Sequence, residues 1–155
     1  GSLPVTSILK DYMVNTLNAE HRKNPAVTVP FYICGDISHG LANKGEKVIH
    51  SNTMLFEYAI PYMAEFHFKN TDSIFHSTFG FSDGEIKKGV IDLNEMKELI
   101  YRNSDKWPVE EVVGYLGIPG PKLGRDYSDY KLKKMLEDSL GNLKRVFGKK
   151  YNEVH

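Results

Sequence analysis

The chain has one cysteine in 155 residues, no net charge and no long apolar run. Each shortage excludes something. Cys34 alone cannot close an internal disulfide, so a reducing, cytoplasmic setting is expected. Twenty Lys and Arg against twenty Asp and Glu leave no surplus of cations for a nucleic-acid backbone or an anionic membrane. No stretch approaches the roughly 20 apolar residues of a bilayer span, and nothing near the start reads as a signal peptide. Neither nucleic acid nor membrane is therefore an expected partner. With 41% hydrophobic and 26% charged residues, the chain is expected to fold as one domain with a real core. Residues 1–3 read as a cloning remnant or disordered start, 4–148 as the domain and 149–155 as a tail.

What is present is organised around residues 29–36, an apolar, β-rich run that ends on Asp36, with His39 three residues on. Alternation puts Tyr32, Cys34 and Asp36 on one face of this strand, and Phe31, Ile33 and Gly35 on the other. Before it, apolar residues at helical spacing predict a helix from Pro4 to Lys23, ended by Asn24-Pro25. After it come a polar loop, 41–51, and a helix with Asn52 as N-cap, kinked or stopped at Pro61. A second strand, 64–70, alternates Glu65, His67 and Lys69 with Phe66 and Phe68. Residues 71–91 read as a long Phe-rich loop, a lid or an ordinary packed loop, with His76 in it. Asp92-Leu93-Asn94-Glu95 has capping-box spacing and opens a helix. The third strand is 112–118, stopped by Pro119-Gly120-Pro121, and the last helix starts near Ser128.

The order is a leading helix, then strand–helix three times. It predicts an α/β fold with three parallel strands, two open edges and one large uncovered apolar face. Asp36 and His67 then end adjacent strands on one face. A carboxylate beside an imidazole suits a divalent metal, or else forms an ion pair between strands, with Glu65 and Lys69 as further partners. The loop carrying Gly120, Lys122, Gly124 and Arg125 precedes a helix N-terminus and suits a phosphate, or is a solvated basic loop. His21, His50 and His155 read as surface residues, the methionines as packing on helical faces, and Trp107 as packing under the third strand.

The segments FYICGDISHG, EFHFKNTD, GVIDLNEMKELI and GYLGIPGPKLGRDYSD together resemble the second half of a xylose-isomerase-like TIM barrel. That superfamily contains sugar and sugar-phosphate isomerases and 3-epimerases, with endonuclease IV as a relative. The resemblance implies a partial (half) TIM barrel holding its sixth to eighth strands. It implies Asp36 and His67 as ligands of Mn, Co or Mg and His39 as a substrate contact; beside these, Lys69 and the loop of Gly120, Lys122, Gly124 and Arg125 are the candidates for binding substrate or phosphate. The reaction it implies is proton abstraction beside a carbonyl, through an enediolate. The two glutamates it calls for are missing: the earlier strand is absent, and the last-strand position falls close to Gly117. The expectation is thus the C-terminal portion of an isomerase or epimerase, inactive as an isolated chain. Its partners would be a sugar or sugar phosphate and either a second copy or a missing N-terminal half. The alternative is a non-catalytic, oligomerising half-barrel that binds metal or a small ligand. An endonuclease-IV-like nuclease comes third, against the balanced charge.

Overall fold

The computed structural model describes residues 9–118 and 130–148. Helical turns at Leu9–Val14 run into α1 (Asn15–Lys23), followed by β1 (Ile33–Asp36). A hairpin of β2 (Leu41–Ala42) and β3 (Val48–His50) leads to α2 (Asn52–Ala59) and β4 (Met63–Phe68). A second hairpin, β5 (Asn70–Thr71) and β6 (Thr78–Phe79), precedes α3 (Asp83–Lys88), α4 (Leu93–Arg102), β7 (Val113–Leu116) and α5 (Tyr130–Phe147). Strands β1, β4 and β7 form one parallel sheet with β4 in the middle, so the fold is α/β and the sheet is open, not a closed barrel. Among the described residues no helix is long and apolar enough to cross a membrane.

The register follows from alternation. Phe66 and Phe68 point into the core while Glu65 and His67 point out. The ring of Phe66 meets that of Phe68 at a tilt of 59°, with centroids 4.8 Å apart, and Phe56 of α2 edge-on at 5.1 Å, and Trp107 closes the group at 6.0 Å. Rings in such offset and edge-on pairs contribute about 0.5–1.5 kcal/mol each beyond their burial. Met96 and Leu99 of α4, Leu143 of α5 and the fully buried Ile37, Ile60 and Phe81 complete the core. Gly114 of β7 lets it sit flush on this layer: a Cβ there would come within 2.6 Å of the Phe68 ring.

Several elements differ from the sequence reading. The first strand begins at Ile33, not Val29, and Val29 is 82% exposed. Pro30 has no N–H for a ladder, and the Asn18 side chain of α1 takes the strand partner's place. It accepts from the Phe31 amide at 2.6 Å and donates to the Phe31 carbonyl at 2.7 Å. The cap of α2 is Ser51, whose hydroxyl accepts from Met54 N–H, while Asn52 is buried and donates to the Ile37 carbonyl. Residues 41–51 form the β2–β3 hairpin around Asn43, which accepts from the amides of Gly45 and Lys47.

The 71–91 stretch is no open loop. It holds the β5–β6 hairpin and α3, fastened by a capping box between Ser82 and Glu85. Buried Glu85 also accepts from the amide of Gly80, and Ser139 of α5 accepts from that of Phe81. The beginning of the helix expected from Pro4, and Ser128, lie outside the described residues.

Helices cover one face of the sheet. The other carries Cys34, Glu65, His67, Val113 and Tyr115, so the large apolar face expected there is a mixed one.

Candidate functional site

The site lies at the C-terminal ends of β1 and β4, on the uncovered face. Parallel pairing makes Asp36 and His67 direct partners, and the chain turns away from β1 with Ile37 N–H donating to the His67 carbonyl at 3.3 Å. The Asp36 side chain is only 8% exposed. Its Oδ1 accepts from both the amide of Ser38, at 2.9 Å, and its hydroxyl, at 2.6 Å. This is the short-range bonding that favours Asp ahead of a turn. Its Oδ2 faces three basic groups: Lys69 Nζ at 2.8 Å, His67 Nδ1 at 3.6 Å and His39 Nε2 at 3.7 Å. Only the lysine is at hydrogen-bond distance.

Burial alone would push the Asp36 carboxyl up. Lys69, the two Ser38 bonds and the charge of His39 outweigh it and hold the group below the ordinary carboxylate value.

The face continues down the strands. Cys34 Sγ lies 3.8 Å from His67 Nε2 and 3.4 Å from the Tyr115 hydroxyl, and the Tyr115 ring meets the His67 ring edge-on at 4.3 Å. The contact with Cys34, then desolvation, then the charges of Cys34 and Glu65, push the Tyr115 phenol up to about 12. Beside His39, Gly40 makes room for Phe75 of the second hairpin, whose ring occupies the space a Cβ would need.

Comparison with known proteins returns nothing: no family model, no curated protein and no solved structure matches the chain. What the site can do must be read from its own chemistry.

Of the residues singled out from the sequence, Asp36, His39, His67 and Lys69 come together. Gly120, Lys122, Gly124 and Arg125 lie outside the described residues. His76 is exposed in the second hairpin's turn, where its amide donates to Asp72. Cys34 and Tyr115 were not among the candidates, although period-two alternation places Cys34 on the face of Asp36. Ser38 was also missed, and its signal was the Asp-x-Ser spacing itself.

The donor set does not fit a divalent ion. Among the described residues no three His, Cys, Asp or Glu side chains gather as a metal-holding group. An ion held by Asp36 and His67 would have to share Oδ2 with the Lys69 ammonium. At Gly117, where the resemblance calls for a carboxylate, there is only hydrogen, and the Lys69 stem lies against it. What Asp36, Lys69, His39 and His67 offer together is a set of hydrogen-bonding groups converging on one point. The imidazoles and the ammonium can donate, and the carboxylate can accept.

Proposed function

We propose that the chain is the C-terminal part of a xylose-isomerase-like barrel from a sugar or sugar-phosphate isomerase or epimerase. Its rim binds the sugar and, in the isolated chain, does not turn it over. The observation that carries this reading is the register at the strand ends. Asp36 and His67 are paired on parallel neighbours, and His39 and Lys69 converge on the same carboxylate oxygen. Parallel α/β sheets bind their ligands at this end. Enediolate chemistry needs a free base on the substrate carbon, usually with an acid opposite. Asp36 is tied to Ser38 and Lys69, and Gly117 contributes no carboxylate. Recognition remains without the proton-transfer groups.

The same reading gives the uncovered face a partner, either a second copy or the first half of the barrel. Val113 at 57% and Tyr115 at 38% exposure are the apolar surface it would bury. Light scattering at high concentration separates the two. A dimer means that a second copy covers the face, and a strict monomer leaves it to the missing half.

The binding claim is tested by titrating a ketohexose phosphate while following the imidazole resonances of His39 and His67. Both are expected to shift at millimolar sugar, with no solvent deuterium entering the carbon beside the carbonyl. Unmoved imidazoles would refute the binding. Deuterium uptake above the protein-free rate, abolished by His67→Ala, would refute the inactivity.

A further inference from the structure

Lys69 follows β4 two residues after His67, on the same face, and its side chain is only 25% exposed. It does not extend into water. Its stem crosses Gly117 so closely that a Cβ at that position would come within 2.6 Å of Cε and 3.1 Å of Cγ. Gly117 is held in place by its own amide, which donates to the Phe68 carbonyl at 2.9 Å. The ammonium ends 2.8 Å from Asp36 Oδ2, the one carboxylate oxygen that Ser38 leaves open.

We propose that Lys69 is the resident cation of this rim: it fills the side of the Asp36–His67 pair that a divalent ion would take, and ligand binding there is independent of metal. The inference rests on the barrel reading for the side of the pair an ion would occupy, for the carboxylate that would accompany it at 117 and for the ligand bound.

Three features support it. Any side chain at 117 would have to displace the lysine, so an ion-binding carboxylate there and the present position of Lys69 exclude each other. The charge is conserved: an ammonium beside glycine carries the same +1 as a divalent ion with one carboxylate. A dication about 4 Å from the ammonium would bind at least ~30-fold more weakly even at the dielectric of water, and more so near protein.

The experiment measures Mn2+ binding by the electron paramagnetic resonance of the free ion, for wild type and for Lys69→Met, Lys69→Gln and Lys69→Ala/Gly117→Glu. Wild type is expected to leave the signal of millimolar Mn2+ unchanged. The single variants should bind at least ~30-fold more tightly than wild type, and the double variant more tightly still. His67→Ala in the Lys69→Gln background should abolish the gain. Lys69→Gln keeps a donor for Asp36, so it decides the matter if Lys69→Met or the double variant fails to give a folded far-UV circular dichroism spectrum.

Wild-type binding as tight as that of Lys69→Gln would overturn the inference. So would the absence of binding in every variant, because something other than Lys69 would then exclude the ion. The outcome is separable from the barrel reading. Sugar phosphate that fails to move the imidazoles, alongside a gain of Mn2+ binding in the variants, would remove the sugar and leave the cation. Sugar binding that is lost on adding EDTA would remove the cation and leave the sugar.

Discussion

Asn70 is the residue on which the segment beyond the rim depends, and replacing it with alanine is a quantitative test of that role. It directly follows Lys69 and is fully buried. Its Oδ1 accepts from the amides of Thr71 at 2.9 Å and Ile91 at 3.1 Å, and its Nδ2 reaches the Glu85 carbonyl at 3.5 Å. One side chain thus joins β5, the first turn of α3 and the approach to α4, with Gly89 packed flat against the amide. Asn70→Ala leaves two buried backbone N–H groups without their acceptor. Each costs about 1–3 kcal/mol when nothing replaces it. Water entering the space left behind would recover part of that, so the expected loss is about 3 kcal/mol. For a domain of this size that lowers the melting temperature by about 6–12 °C. Urea melts give the free energy, and hydrogen exchange shows where it is lost, with the amides of Thr71 and Ile91 losing protection first. The exposed Asn94→Ala serves as control and should stay within about 0.5 kcal/mol. A loss below about 1 kcal/mol for Asn70→Ala would refute the argument, because 71–91 would then be held by something other than this anchor.

Other expectations follow from the same geometry. Asp92 caps α4 by accepting from the amides of Asn94 and Glu95, so Asp92→Ala should cost about 1 kcal/mol in urea melts. A loss near zero would mean that packing alone starts the helix. Gly114→Val would drive methyls into the rings of Phe68 and Phe66 and should cost about 1–3 kcal/mol, and an unchanged midpoint would show that β7 stands further off the core.

The raised Tyr115 phenol has a definite sign. The fold favours its neutral form, so its contribution to stability is present below the ordinary value of 10 and is lost as pH rises through about 12. In an absorbance titration one of the nine tyrosines should ionise late, and Cys34→Ala should return it towards 10. An unshifted curve in that variant would rule out the thiol as cause.

Much of the fold was legible because its signals are local. Alternation through 64–70 placed Phe66 and Phe68 on one face and His67 on the other, and the strand–helix order implied the parallel pairing that brings His67 beside Asp36. What could not be read depends on partners distant in the chain. Residues 29–32 have the composition of a strand, yet Pro30 breaks the ladder and Asn18, on the preceding helix, satisfies Phe31. The 71–91 stretch is polar and Gly-rich, so it reads as loop. Its order comes from buried Asn70 and Glu85 and from Ser139 on the last helix, and no periodicity announces such anchors.

The candidate site shows the same limit more sharply. The alternation of Glu65, His67 and Lys69 assigns a face, and it leaves open which base takes Asp36. His67 is its register partner, and on strand pairing alone the imidazole should win. It sits at 3.6 Å while the lysine, two residues further on, closes to 2.8 Å. The difference is made just past the third strand. Gly117 has no side chain, so the lysine stem can lie across it and deliver the ammonium to the carboxylate. A side chain at 117 would have to displace the lysine stem, and with it the 2.8 Å contact between the ammonium and Asp36. The base that closes on Asp36 is therefore set by one glycine just past the third strand.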